Sequence, residues 1–410
     1  MDSKLIGSIS ECAKLFSEKK FIESGYIAVR DGDGIAITAQ KADLNNIGEK
    51  DVVFVNDKNI ESFEGNFRAA AVILFCAIRQ DKMSEVAAIV DSDAILEYSS
   101  KRKPLQAVMD NVAKLLGVTV KCSSKNVAAE IVTSLAGYRN ACFMPDAGAV
   151  VKARSLKELL KATDVLDKAC SAEILAENKG GTAHINPINA FIEQVVYKLT
   201  SKEKVEVDKN TQPAEADKNN DGNANQSQSN EVAENIESDE KQNQSNEVAE
   251  VAEKQDRDEQ QSQSNEVAEV TEKNDSDGQQ SQSDEVTNEN IESDAQQSQN
   301  SEAVAKKITL NGKVVGFACP RYITAVCAIG KPMTVVGDEY KEKLGDEIKC
   351  LPSKMILSKK GYEKAAELAG DCKVCLMAQH GAIVKADSEQ ELYALVELAE
   401  NACKAHLEEN

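Results

Sequence analysis

Apolar positions are regularly spaced at both ends of the chain and scattered in the middle. Near the C-terminus, an apolar run from Val374 is followed by a glycine turn and a second short run from Ala382 to Lys385, which indicates two strands. Ser388 then stands where it can cap a predicted helix. One broad face of that helix is apolar, through Leu392, Leu395, Val396, Leu398, Ala399 and Ala402. Strands that alternate with helices predict a layered α/β domain.

The segment from about Ser201 to Ser301 has a different composition. It consists mainly of Gln, Ser, Asn, Glu and Asp, and no aromatic residue occurs between Lys198 and Gly316. A unit close to QSNEVAE recurs at irregular spacing from Gln228, which is typical of a low-complexity tract. Such a segment buries too little apolar surface to offset chain entropy. We therefore predict a disordered acidic linker over 201–303, serving as a spacer or as a docking tail for a partner.

The flanks of this segment contain an internal repeat. ACFMPDAGAVVKARSLKEL, starting at Ala141, aligns without a gap with VCLMAQHGAIVKADSEQEL, starting at Val374, and ten of the nineteen positions are identical. Duplication explains such agreement better than chance. We predict a complete copy over 1–200 and a partial copy over 304–410, because 20–56 has no recognisable counterpart before Val314. The partial copy is expected to dock on the first copy or on another chain.

Charge and patterning exclude several functions. Residues 201–300 contain 27 acidic and 8 basic residues, a balance of −19 against −21 for the whole chain. The flanks are therefore nearly neutral, and no basic surface is available for nucleic acid. No apolar run reaches the ~18 residues of a spanning helix and no signal peptide is recognisable, so we expect a cytoplasmic protein without membrane contact. Most of the eleven cysteines lie in apolar patterns and are interpreted as reduced core residues.

A longer motif points to a known family. Residues 24–41 read SGYIAVRDGDGIAITAQK and continue through ADLNNIGEKDVVFVN to Asn56, with a hairpin predicted at Asp31-Gly-Asp-Gly34. This stretch resembles the class II aldolase and adducin-head family, and the resemblance covers roughly 5–195 and 312–407. It implies a three-layer α/β/α domain plus a partial second copy. Since family sites lie at subunit interfaces, it also implies another copy of the chain, or a class II aldolase-like subunit, as partner.

The resemblance implies a metal site that this sequence keeps only in part. Family enzymes hold a divalent metal, usually zinc, through a His-x-His pair and a third histidine. In the second copy Phe317 and Cys319 occupy the pair and His380 the third position. We interpret His380 either as a metal ligand with Cys319 or as a leftover imidazole hydrogen-bonded in a turn.

The first copy retains none of the three imidazoles. Its corresponding residues are Ile89, Asp91 and Ala147. A register shifted by two would offer Asp91 and Asp93, but carboxylates beside a helix start are more often caps than ligands.

Other family features are also altered. Tyr26 and Ala39-Gln-Lys41 replace the small residues of the phosphate-binding turns, and RAAAV at 68–72 contains no glutamate for the family's acid/base role. The pair Cys372 and Cys375 forms a CxxC, but residues three apart on a strand point to opposite faces, so we interpret both as structural.

The sequence therefore predicts a catalytically degenerate class II aldolase-like protein that acts as an interaction or structural module. No catalytic residue and no cofactor are expected, with zinc at Cys319 and His380 as the possible exception. The alternative is a metal-dependent sugar-phosphate aldolase or epimerase, whose Cys319 and His380 site is completed by another subunit.

Overall fold

The computed structural model describes residues 2–23, 25–200, 304–353 and 359–409. The linker predicted over 201–303 lies outside these ranges. The two described flanks of that segment belong to one compact unit. No helix among the described residues combines the length and apolar character needed to cross a membrane.

The first copy is built on a mixed eight-stranded sheet. Its strands are β1 (Tyr26–Asp31), β2 (Gly34–Thr38), β3 (Val52–Val55), β4 (Val86–Val90), β5 (Leu105–Gln106), β6 (Thr119–Cys122), β7 (Ala141–Phe143) and β8 (Ala149–Ala153). They are hydrogen-bonded in the order β3-β2-β1-β4-β8-β7-β6-β5. The predicted hairpin is confirmed: Asp31 pairs with Gly34, and Gly32 takes the positive φ of +57° that the turn requires.

Helices cover both faces of this sheet. They are α1 (Ser3–Glu18), α2 (Gly65–Gln80), α3 (Asp93–Ser100), α4 (Asp110–Leu115), α5 (Ala128–Ser134), α6 (Leu156–Ala176) and α7 (Pro187–Thr200). Successive residues of a strand point to opposite faces of the sheet. Ile27 therefore belongs to the core on the face covered by α1, α3 and α6. Its neighbour Ala28 belongs to the core on the face covered by α2 and α5. This arrangement confirms the predicted three-layer α/β/α fold.

The second copy has a five-stranded sheet of its own. Its strands are β9 (Val304–Leu310), β10 (Lys313–Ala318), β13 (Cys350–Leu351), β14 (Val374–Met377) and β15 (Gly381–Ala386), while β11 (Met333–Thr334) and β12 (Glu347–Ile348) form a separate pair. Its helices are α8 (Arg321–Ile329), α9 (Asp338–Leu344), α10 (Lys359–Leu368) and α11 (Glu389–Glu408). Ser388 caps α11 as predicted, because its side chain accepts a hydrogen bond from the Glu391 N–H.

The sheet of the second copy contains one strand more than the sequence repeat predicts. Its order, β13-β14-β15-β10-β9, parallels β6-β7-β8-β4-β1 of the first copy, so β9 occupies the place of β1. The expectation that 20–56 has no counterpart was therefore wrong for this one strand. The strand comes from a new β9–β10 hairpin whose turn residues, Asn311 and Gly312, both have positive φ. Beyond β9 this sheet has no equivalent of β2 or β3 within the described ranges.

Two glycines show that the copies superpose in register. A Cβ on Gly148 would lie 2.1 Å from the Val90 carbonyl oxygen, and one on Gly381 would lie 2.5 Å from the Ala318 carbonyl oxygen. Val90 pairs with Ala149 in the first sheet, as Ala318 pairs with Ala382 in the second. This register aligns β4 with β10 and places Cys319 at the position of Asp91, as the sequence predicted.

One hydrophobic core joins the two copies. Helix α8 packs on both α11 of its own copy and α6 of the first copy. Side chains from both copies therefore form a single buried cluster, with Leu166, Ala169 and Cys170 on one side and Ile323, Ala328 and Cys403 on the other. The second copy therefore docks on the first copy through an apolar interface. Of the two expected arrangements, docking on the first copy or on another chain, the structure shows the former.

Candidate functional site

The turn between β14 and β15 reaches from the second copy onto the first. Gln379, in the left-handed conformation at φ +65°, is 7% exposed. Its backbone carbonyl accepts a hydrogen bond from the Asp110 N–H at 3.0 Å, and its side-chain amide donates to the Ala183 carbonyl at 3.2 Å. Its own N–H donates to the Cys327 carbonyl at 3.1 Å. Three separate segments thus hold the turn that carries His380.

His380 faces a buried charge cluster on the first copy. Its Nδ1 lies 3.4 Å from Oδ2 of Asp110, and both side chains are about nine-tenths buried. Lys114, one turn further along α4, forms an ion pair with Asp110 and lies 3.3 Å from Glu193 of α7. The Oε2 atom of Glu193 is close enough to the Lys114 ammonium for an ion pair, but the two groups are not oriented as a hydrogen bond. The four side chains join α4, α7 and the β14–β15 turn.

The charges of this cluster shift its titration. Burial alone raises the pKa of the Asp110 carboxyl, but hydrogen bonds and charge from His380 and Lys114 outweigh it and lower the pKa to about 2. Burial likewise opposes the charge of Lys114, yet Asp110 holds its pKa above the ordinary value. Burial, assisted by Asp110, raises the pKa of Glu193 despite the nearby ammonium. Asp110 is therefore a stable buried carboxylate that pairs with the Lys114 ammonium and faces the His380 imidazole.

Cys319 lies immediately after β10. Its thiol donates to the carbonyl oxygen of His380 at 3.0 Å. Burial, reinforced by the charge of Asp110, raises the pKa of the Cys319 thiol to about 12. Since nucleophilic attack needs the thiolate, this environment does not suit a reactive cysteine. The two predicted ligand residues are thus in contact, through the thiol of Cys319 and the backbone carbonyl of His380.

A cavity of about 300 Å³ lies beside Cys319, between the two copies. Helices α4 and α6 of the first copy form one wall, through residues that include Asn111, Lys161 and Lys168. Cys319 and Thr324 of the second copy form the other wall.

The family metal positions of the first copy carry no ligand set. Ile89 is in β4 and packs against the core beside α2, and Ala147 is in the β7–β8 turn. Asp91 Oδ1 accepts a hydrogen bond from the Glu23 N–H at 2.7 Å, so this carboxylate anchors the segment before β1. Asp93 is the first residue of α3.

The donor set does not fit a family metal site in either copy. The described residues contain no group of three or more His, Cys, Asp or Glu side chains arranged to hold a metal ion. The chain has three histidines in all. His184 pairs with Glu173 at 3.0 Å, and His406 lies in the last turn of α11. A site of three imidazoles therefore cannot form around His380 within one chain.

The phosphate-binding turns of the family also have different surroundings here. Tyr26 is buried against Phe67, with ring centroids 5.9 Å apart. Lys41 is in a left-handed turn at φ +64°. Arg68, in the segment that lacks the family's acid/base glutamate, forms an ion pair with Glu61. Both cysteines of the CxxC, Cys372 and Cys375, are free thiols.

Sequence reasoning missed most of the polar residues at the junction. Asp110 aligns with Asp338 of the second copy, but the sequence predicted no site role for it or for Lys114, Glu193, Lys161, Lys168 and Thr324. The available signal was the (i, i+4) spacing of Asp110 and Lys114 on a short helix. Such pairs are common on exposed helix faces, and nothing local shows that this one is buried.

One family profile matches most of the described chain. The profile of the Class II Aldolase and Adducin N-terminal domain family matches residues 8–174 and 311–407, more than half of the chain. No curated protein matches the sequence.

Among solved structures, an L-fuculose 1-phosphate aldolase is 18% identical, with a TM-score of 0.42, and the match covers 48% of this chain and 98% of that one. An L-fuculose-1-phosphate aldolase from Thermus thermophilus is 15% identical, with a TM-score of 0.37 and coverage of 45% and 100%. A sugar-phosphate aldolase from Thermotoga maritima is 13% identical, with a TM-score of 0.34 and coverage of 44% and 97%. On the profile match, this chain belongs to the class II aldolase and adducin N-terminal domain family, with a second, partial copy of the domain.

Proposed function

We propose that this protein is a catalytically degenerate member of its family that acts as a structural or interaction module. The observation that carries the proposal is the use of the surviving ligand residues in structural contacts, one within the second copy and one between the copies. The Cys319 thiol donates to the His380 carbonyl, and the His380 imidazole faces Asp110 of the first copy. A metal at this position would have to compete with both contacts.

The mechanism of the family enzymes explains why the changes at the metal-ligand positions matter. Carbon–carbon cleavage needs a Lewis acid with an open position, where the substrate oxygens bind as the enediolate forms. Phe317 cannot coordinate a metal, and the Cys319 thiol donates its proton to the His380 carbonyl oxygen. The missing acid/base glutamate and the altered phosphate turns weaken the same reaction at independent steps. Loss of catalysis is therefore a simpler account than a rebuilt active site.

The second copy packs against the first within one compact unit. Its β14–β15 turn contacts α4 of the first copy, and its helix α8 shares a core with α6. We propose that this internal pairing stabilises the fold. We also propose that the outer surface binds another copy or a class II aldolase-like subunit. Support comes from α7, which exposes Ile188, Ile192 and Leu199.

An assay of cleavage tests the catalytic part of the proposal. The full chain is incubated with L-fuculose 1-phosphate and related ketose phosphates, with and without added zinc, and release of dihydroxyacetone phosphate is measured. We expect no release above the buffer rate. Zinc-dependent cleavage that disappears in both Cys319→Ala and His380→Ala would replace the proposal with the metal-dependent aldolase alternative.

Light scattering tests the interaction part. We expect a mass above that of a single chain, alone or with an added class II aldolase-like subunit, and a lower mass for Ile192→Glu. Because Ile192 is exposed on α7, this change should leave the fold intact. A single-chain mass for the wild type under both conditions would contradict the proposed assembly.

A further inference from the structure

The cavity between the copies contains polar groups that the fold itself does not use. Thr324 is 1% exposed, lines the cavity, and its Oγ1 has no hydrogen-bond partner among the described residues. A buried hydroxyl without a partner costs free energy unless something else binds it. Within the described ranges, the side chains of Asn111 and Lys161, which also line the cavity, have no hydrogen-bond or ion-pair partner either.

The charges around the cavity leave one cation unmatched. Lys168 is paired with Asp164 at 2.7 Å, and both belong to the lining. Cys319 is counted as a neutral thiol, because its Sγ donates a hydrogen bond to the His380 carbonyl oxygen at 3.0 Å. Lys161 is therefore the excess positive charge of the lining. A complementary ligand carries one negative charge together with groups that can accept hydrogen bonds from Asn111 and Thr324.

From this arrangement we propose that the cavity binds a short-chain hydroxycarboxylate. The volume of about 300 Å³ is at the lower end for ligand sites, which limits the ligand to a few carbon atoms. Apolar side chains, including Met109, Val112 and Val165, line the remaining wall and suit a carbon skeleton.

A carboxylate fits the cavity better than a phosphate ester. A phosphate monoester carries nearly two negative charges at neutral pH, so one would remain unmatched here. The lining residues come from the helices α4, α6 and α8, from β9 and from Cys319, and they include no glycine-rich loop whose backbone could surround a phosphate. The proposal concerns residues at the junction of the copies and does not depend on the loss of catalysis.

Calorimetry and saturation-transfer NMR on the full chain test the proposal. The probes are glycolate, lactate and glycerate, with glycerol 3-phosphate and glycerol as matched comparisons. We expect saturable binding of at least one carboxylate, with weaker binding of glycerol 3-phosphate and none of glycerol. Lys161→Gln and Thr324→Val should each weaken carboxylate binding by about tenfold or more, because each removes a donor to a charged ligand.

Control variants separate binding from stability. Lys157 is exposed one turn earlier on α6 and does not line the cavity, so Lys157→Gln should bind as the wild type does. Thr324→Val keeps the side-chain shape and should melt at or above the wild-type temperature while binding is lost. Three results would overturn the proposal: no saturable binding of any of the three carboxylates, binding that survives both cavity variants, or tighter binding of glycerol 3-phosphate.

Discussion

The β7–β8 turn of the first copy and the β14–β15 turn of the second have the same backbone and different surroundings. Asp146 and Gln379 occupy equivalent positions, both with positive φ, of +57° and +65°. Asp146 forms an ion pair with Arg102, and both side chains are more than half exposed. Gln379 is buried on the first copy and hydrogen-bonds across the junction. The same turn is therefore exposed to solvent in the first copy and forms a contact between the copies in the second.

Separating the copies should have the largest effect. Residues 304–410 expressed alone would expose the apolar side of α8, which α6 of the first copy now covers. We expect an aggregated or noncooperative fragment, because a small domain that loses part of its core has little stability left. Circular dichroism during heating and light scattering measure this. A monomeric fragment with a cooperative melt would show that the shared core is not needed.

The two close-approach glycines should be equally intolerant of a side chain. Gly148→Ala and Gly381→Ala each place a methyl group within 2.5 Å of a carbonyl oxygen at a positive φ. We expect each to lower the free energy of unfolding by about 3 kcal/mol or more, measured by urea denaturation. Gly312 has a φ of +78° but open space around it, so Gly312→Ala should cost only about 1 kcal/mol. Equal losses at all three positions would mean that φ alone determines the cost.

Equivalent aspartates in the two copies should differ in importance. Asp110 is buried between His380 and Lys114, whereas Asp338 is exposed at the start of α9. Asp110→Asn leaves the buried Lys114 ammonium without its main counter-charge and the His380 imidazole without its carboxylate contact, so we expect a loss of about 2 kcal/mol in unfolding free energy. Asp338→Asn should change it by about 0.5 kcal/mol or less. Similar losses in the two variants would argue against the buried cluster as a link between the copies.

Low pH should weaken the contact that Asp110 makes between the copies. The pKa of Asp110 is about 2 in the folded protein, below its ordinary value of 3.8, so its carboxylate stabilises the fold at higher pH. This contribution, up to about 2 kcal/mol, is lost as the pH falls from about 4 to about 2. The groups that face it are His380 and Lys114, with Glu193 and Tyr362 nearby. Urea denaturation at several pH values should show a shallower acid dependence for Asp110→Asn than for the wild type.

The sequence repeat predicted the register of the two copies because their close-packed strands leave little freedom. The alignment of Cys319 with Asp91 follows from the glycine turns, which fit only one neighbouring carbonyl each. Strand β9 was not predicted, because its hairpin connects differently from β1 and leaves no repeat to align. The Asn311-Gly312 pair is a hairpin signal in itself and would have indicated the strand. The cluster around His380 could not be predicted, since its residues lie far apart in sequence and meet only when the copies dock.

The zinc content of the purified full chain tests most directly whether the family metal site has been lost. Protein prepared under mild conditions is analysed by inductively coupled plasma mass spectrometry, together with Cys319→Ala and His380→Ala. Because the Cys319 thiol and the His380 imidazole are engaged within the chain and Phe317 cannot coordinate, we predict well under one zinc per chain in all three samples. About one zinc per wild-type chain, lost in either variant, would contradict the account.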